Sequence, residues 1–278
     1  LYQSMIAVLS PAKTLNFERE PITGKHTIPE FIDEAAGLVD RLRALGPKDI
    51  RTLMGVNEEI AELNATRFDT WTRHQSLDDG LQAIFAYAGE VYRGFDVDRL
   101  SAEDLYYAQN HLRILSGLYG TLRPLDVIQP YRLEMGTDLA NDRGADLYAY
   151  WGSKIAESLS DALRGQSSHT IVNLASKEYF SAVPSSSLGA SVITPQFKEK
   201  RGTDYRIIAV YAKNARGRMA RYMIENRIED PAAPDGPPPV RRRRQLLRGL
   251  GYEREEEIEG LPGRDARAPG TDHPSRRS

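Results

Sequence analysis

MIAVLSPAKT, residues 5–14, is the stretch on which the class of fold turns. Met5–Leu9 are all apolar and Ser10-Pro11 stops the run, so the segment reads as a short buried strand. Lys13 then stands on a loop at a strand's carboxyl end, where the sites of strand–helix proteins gather. A lysine in that place can bind phosphate, form a Schiff base if desolvated, or simply face water. Residues 169–180, HTIVNLASKEYF, repeat the arrangement. His169–Leu174 reads as a strand, Ser176 can cap the helix after it, and Lys177 with the first amides of that helix can face an anion. An ordinary cap beside a surface lysine explains the second stretch equally well.

Helices fill the space between these strands. Thr27-Ile28-Pro29 predicts a helix with Thr27 as N-cap and Gly46 as its stop, and Phe31, Ile32, Ala35, Leu38, Val39 and Leu42 form its apolar face. Ser101-Ala102-Glu103-Asp104 resembles a capping box ahead of a helix reaching about Ser116. Gly117, Gly120, Pro124, Pro130 and Gly136 then prevent a regular element over 116–136, so that loop is expected to be functional or packed by its own aromatics. A further helix is expected over 146–164, stopped by Gly165. Two strands follow, about 190–197 and 204–212, joined by KEKRGTD. The alternation of strands and helices makes the chain α/β.

Composition narrows the chemistry. The chain has 278 residues, 40% hydrophobic and 27% charged, with a formal net charge of -2, as ordinary soluble globular proteins do. Cysteine is absent, which excludes disulfides, thiolate zinc sites, cysteine-held iron–sulfur clusters and thiol peroxidase chemistry. That fits a reducing cytoplasm. The five histidines show no metal-ligand spacing, so neither a metal nor a cofactor is expected. No apolar run approaches the ~20 residues of a membrane span, and no secretion leader is read. Residues 1–4 precede Met5 and read as a cloning remnant. Residues 231–278 change to a Pro, Gly and Arg-rich composition expected of a disordered tail.

Against the slightly acidic background, YAKNARGRMARYMIENR (211–227) concentrates cations. Residues 209–224 hold four basic residues and no acid, while residues 1–230 hold 27 basic and 31 acidic. On a helix Lys213, Arg216, Ala220 and Arg227 share a face with Gly217 beside them, and Arg218 and Arg221 lie on the next face. Small residues between cations would let a bulky anion reach the backbone; a solvated basic face is the plainer reading. LRPLD and PYRLEM add Arg123 and Arg132. Arg123 can instead pair with Asp126 to hold the loop, and Tyr131 can be a stacking platform or a packed aromatic. IRTLM-GVN-EEIAELNATRF, within 48–68, has the layout of a helix-hairpin-helix, with Gly55-Val56-Asn57 as the phosphate-holding turn and Leu53, Ile60, Ala61 and Leu63 packing its helices. Asn57 stands where a second Gly is usual, and Glu58 and Glu59 oppose a phosphate.

Together SPAKTLNF, LMGVNEEIAELNATRF, AQNHLRILSGLYGTLRPLDVIQPYRLEMG, DLYAYWG, NLASKEYF and YAKNARGRMARYMIENR resemble the YaaA peroxide-stress family, in order and over about residues 5–230. The resemblance implies a single compact mixed α/β domain, a sheet surrounded by helices, with a helix-hairpin-helix-like element and a positively charged cleft. It further implies a cytoplasmic protein that limits iron-dependent oxidative damage and binds double-stranded or branched DNA. The tail after Pro231 departs from the family, as a shifted reading frame would make it do.

Three functions follow as expectations. In the first, Lys13, Arg123, Arg132, Lys177, Lys213 and Arg216 converge on one DNA-binding cleft, with Arg218 and Arg221 alongside and Gly55–Asn57 as a second phosphate contact. In the second, a desolvated Lys13 or Lys177 acts on nucleic-acid bases or nucleotides with Glu134 or Glu178 as partner and Tyr119, Tyr131 and Tyr179 as pocket walls. Direct iron sequestration is least supported, since no cysteine or histidine cluster exists to hold the metal.

Overall fold

All five residues of Met5–Leu9 are buried because the strand they form, β1, has a parallel neighbour on each side. The computed structural model describes residues 5–164, 169–201 and 204–228. After β1 (Met5–Leu9) and the short β2 (Thr14–Leu15) come α1 (Ile32–Arg43), α2 (Pro47–Met54) and α3 (Glu58–Thr70). Short pieces follow: β3 (Leu81–Gln82), α4 (Ala83–Ala86), β4 (Tyr87–Ala88) and α5 (Glu90–Phe95). α6 (Ala102–His111) runs into β5 (Leu112–Ser116), then β6 (Gly120–Leu122) and β7 (Val127–Ile128). The remaining elements are α7 (Leu147–Trp151), α8 (Lys154–Ala162), β8 (Thr170–Asn173), α9 (Lys177–Phe180), β9 (Ser191–Ile193), β10 (Glu199–Arg201), β11 (Asp204–Arg206) and α10 (Ala209–Glu225).

The main sheet has the order β6-β5-β1-β8-β9, parallel except for the antiparallel edge pair β5–β6. It is therefore a mixed sheet with helices packed about it, an α/β architecture. Helices and loops cover it with large apolar side chains, among them Leu38 and Leu42 of α1, Phe68 of α3 and Trp151 of α7. No helix among the described residues is long and apolar enough to cross a membrane. The tail from 231, the remnant at 1–4 and the expected stop at Gly165 lie outside the described residues.

Several boundaries differ from the sequence reading. Residues 112–116 leave the helix and become β5, since Leu112, Ile114 and Leu115 are wholly buried beside β1. Helical propensity yields there to burial in the sheet. Thr27 does not cap α1, which starts at Ile32; its backbone bridges to Asp126 and its hydroxyl donates to that carboxylate at 2.5 Å. The helix over 146–164 is broken at Gly152 into α7 and α8, with Asp146 capping the first. KEKRGTD is no simple turn: its ends pair as the hairpin β10–β11, and α10 begins at Ala209 where a strand was expected.

Ser101 forms the expected capping box. Its hydroxyl accepts from the Asp104 amide at 3.1 Å, and Asp104 accepts from the Ser101 amide at 2.9 Å. Ser101→Ala should cost about 1 kcal/mol of stability, read as a shifted urea midpoint, because the Asp104 amide loses its acceptor and the Asp104 carboxylate loses the hydroxyl that donates to it. Burial opposes ionisation of the Asp104 carboxyl, yet bonds from Ser101 and Arg227 outweigh it and hold the group below the usual range. This contribution is present above the ordinary carboxylate pKa of ~3.9 and fades as pH falls through the lower folded value.

Candidate functional site

Two cations meet on one carboxylate where β1 ends. The Lys13 ammonium lies 2.5 Å from one oxygen of Glu134, and the Arg132 guanidinium lies 3.0 Å from the other. Lys13 keeps 62% of its side chain exposed while Arg132 keeps 19%, so one cation faces solvent and the other is held inside. Arg132 Nε–H is buried with no acceptor. Burial, then the charge of Arg132, lowers the pKa of the Arg67 guanidinium, which places a third cation within electrostatic reach.

The floor of the site is built from serines and tyrosines at the strand ends. The Ser176 amide donates to Ser10 Oγ at 2.8 Å, tying the carboxyl ends of β8 and β1 together. Tyr92 donates to the Ser10 carbonyl at 3.0 Å. Tyr131 shares hydrogen bonds with Ser116 at 2.7 Å and Tyr87 at 2.6 Å. Burial pushes the Tyr131 phenol up to about 12, although Ser116 and Tyr87 pull the other way. Tyr119 accepts from Trp71 Nε1 at 2.9 Å and from the Gln129 amide at 3.2 Å. These phenols stay neutral and act as rigid packing. Tyr119, Tyr131 and Tyr179 are buried rather than lining an open base pocket, and Lys13 is exposed and ion-paired rather than desolvated. The enzyme reading therefore lacks the environment it required.

The other expected residues divide. Lys177 opens α9, whose Ser176 accepts from the Tyr179 amide, and neighbouring Glu178 accepts from the Gly136 amide at 3.1 Å. That bond brings α9 to the same loop as Glu134. Arg123 is engaged internally: its backbone amide, Nε and a terminal nitrogen all donate to Asp126, and it also reaches the Ile28 carbonyl. The ion-pair reading of LRPLD is the one seen.

Gly55 ends α2 in the left-handed conformation at φ 60, as expected of a glycine turn, and Asn57 caps α3 by accepting from the Ile60 amide at 2.9 Å. Glu58 and Glu59 are exposed in the first turn of α3, beside the proposed phosphate contact. Leu63 faces solvent, 48% exposed, and Asn64 holds the buried position with Ala61 and Phe68. Arg67 belongs to the edge of that inner face and was missed by the sequence reading. Asn64 and Arg67 beside Phe68, polar residues on a packing face, were the signal available for it.

On α10 the small residues serve a different purpose from the one expected. Gly217 is pressed against α5, where an added Cβ would overlap the Val91 carbonyl oxygen and lie 2.6 Å from the Phe95 nitrogen. Gly94 meets the Asn214 carbonyl in the same way, and Ala220 is wholly buried. These residues admit a neighbouring helix, not an anion. Arg221 is buried, 3.2 Å from Asp96, and donates to the Phe95 carbonyl at 3.3 Å, so its charge is used to clamp α10 to the end of α5. Arg227 pairs with Asp104 at 2.8 Å and stacks on Tyr107. The side chains of Lys213, Arg216 and Arg218 make no hydrogen bond or ion pair among the described residues. Burial alone lowers the pKa of Arg216.

Sequence comparison agrees with the motifs. A family model described as peroxide stress protein YaaA matches residues 5–234. A "UPF0246 protein" of Paraburkholderia phytofirmans is 51% identical over 229 residues, 82% of this chain and 88% of the relative. One of Ralstonia pickettii is 51% identical over 227 residues, with the same two shares of 82% and 88%. With the strand-end lysines, the packed glycines and the buried loop aromatics set in the matched region, this chain belongs to the YaaA peroxide stress protein family.

Proposed function

We propose that the protein serves the peroxide stress response by binding double-stranded or branched DNA through its phosphates, limiting iron-dependent damage there. The observation that carries this reading is the pair of cations, Lys13 and Arg132, held on the single carboxylate of Glu134. The local excess of positive charge, in a chain of net charge -2, asks for an anion from outside. Arg216 supports it as a second contact, being half-buried without a partner among the described residues, and Lys213 stands one turn before it. Lys177 and the Gly55–Asn57 turn would add contacts along a bound duplex. The location that suits this function is the cytoplasm, where the chromosome of a bacterium lies.

The link to iron follows from polyelectrolyte physics. Protein cations that neutralise phosphates displace the counterions condensed on them. Ferrous ion is such a counterion, and peroxide reacting with it on the phosphates would damage the nearest bases. A protein that occupies the phosphates moves that chemistry away from DNA. It needs no resident metal, and among the described residues no group of three His, Cys, Asp or Glu could hold one.

Fluorescence anisotropy with a labelled duplex and a four-way junction tests the reading. Four to six phosphate contacts predict an affinity loss of roughly 100-fold or more between ~50 and ~200 mM salt. Lys213→Ala with Arg216→Ala should weaken binding to every sequence alike and flatten the salt slope by about two. Salt-insensitive binding, or an unchanged double variant, would sink the proposal.

A further inference from the structure

The exposed apolar side chains of this chain are not spread evenly. Tyr205, Ile207, Val210 and Tyr211 fall within seven residues, each between 46% and 61% exposed, and the two tyrosines are the only exposed aromatics among the described residues. They sit where the β10–β11 hairpin hands over to α10. Tyr205 pairs with Lys200 across the hairpin, Ile207 lies just ahead of the helix, and Val210 and Tyr211 fall in its first turn. Cations surround them: residues 198–218 hold seven basic and two acidic residues, a net of +5 in a chain of net charge -2. Of these, Lys200, Arg201, Arg206 and Lys213 are exposed, and Arg206 lies 3.7 Å from Asp204. The packing of α10 on α5 uses Asn214, Gly217 and Arg221, further along the helix, so the fold gives the exposed rings no task. An apolar cluster left in water among cations marks a surface for a partner.

We propose that this surface binds single-stranded DNA, with unpaired bases stacked on Tyr205 and Tyr211 and their phosphates on Lys200, Arg201, Arg206 and Lys213. The inference rests on the DNA-binding reading and adds the unpaired strand to its duplex contacts. A paired base shows its face only to its neighbours in the stack, so exposed rings gain nothing from a continuous duplex. An unpaired base can lay that face on a phenol ring, and cations beside the ring hold the backbone, which is how single strands are gripped without regard to sequence. The charge argues against a second copy of the chain, since two surfaces of +5 would repel. A membrane surface asks for an apolar face running along a helix. Here the exposed apolar residues stop at the first turn of α10, and Lys213 follows them. Branch points, gaps and frayed ends set unpaired strand beside duplex, so this surface would hold the protein at such a place while the phosphate contacts grip the adjoining duplex.

The test titrates the full chain into a labelled oligothymidylate, which forms no duplex, into a blunt duplex, and into vesicles of phosphatidylglycerol. Tyr205→Ala with Tyr211→Ala should weaken oligothymidylate binding at least about tenfold and leave duplex affinity unchanged. Tyr205→Phe with Tyr211→Phe should keep full affinity, because stacking needs the ring and not the hydroxyl. Retained duplex binding also shows that the variants fold. Oligothymidylate binding that the alanine pair leaves intact, that phenylalanine fails to preserve, or that falls only in step with duplex binding overturns the inference. Duplex binding without oligothymidylate binding overturns it too and leaves the DNA-binding reading standing. Capture by the vesicles in place of oligothymidylate gives the surface to a membrane and overturns it as well. Oligothymidylate binding without duplex binding keeps the inference and removes the double-stranded part of the reading. Binding of neither DNA overturns both.

Discussion

Gly217→Ala should lower stability by about 3 kcal/mol, the upper end of overpacking effects. Helix propensity alone predicts the opposite sign, since Ala is favoured over Gly by about 1 kcal/mol inside a helix. Geometry decides between them. The added methyl would overlap the Val91 carbonyl and crowd the Phe95 amide, both backbone atoms of α5 that cannot rotate aside. Either α10 moves off α5 or the first turn of α5 distorts. Both outcomes disturb the pair formed by Arg221 with Asp96 and strip cover from Met223 and Ile224. Thermal unfolding followed by circular dichroism checks this: a melting temperature unchanged or raised would show that the helices have room to part.

Asp126→Ala should cost a similar amount, about 3 kcal/mol, because it leaves several polar groups without their partner. The carboxylate is 1% exposed and accepts from the Arg123 amide at 2.7 Å, from two nitrogens of the Arg123 guanidinium, and from the Thr27 hydroxyl. It therefore fastens the segment before α1 to the 116–136 loop. A denaturant titration reads the loss. Asp126→Asn can still accept from the amide and the hydroxyl and should lose less. Equal losses for the two substitutions would mean that charge matters more than the hydrogen-bond geometry.

These two sites show where reading along the chain succeeds and where it stops. The Arg123–Asp126 pair lies within one short turn, so it was among the alternatives visible in LRPLD. The capping box at Ser101 is local in the same sense, as are the strands at β1 and β8 with Lys13 and Lys177 just past their ends. Each depends on neighbours within about four residues. The role of Gly217 depends on Val91 and Phe95, more than a hundred positions earlier, and no spacing on α10 announces it. Arg221 was grouped with the anion-facing cations for the same reason, since its partner Asp96 lies far back in the chain.

What the sequence determined by itself is the α/β order, the family, and the positions at which lysines leave buried strands. Those follow from apolar runs, breakers and caps, all of which act over a few residues. Tertiary structure decided the rest. It made a strand of 112–116 by burying it beside β1, and it joined Lys13 to Arg132 through the carboxylate of Glu134. It also sorted the cations of α10 into Arg221 and Arg227, which clamp the helix to its neighbours, and Lys213, Arg216 and Arg218, whose side chains pair with nothing among the described residues. A charge's role is set by what lies within a few ångströms of it, and that is fixed only when distant segments pack.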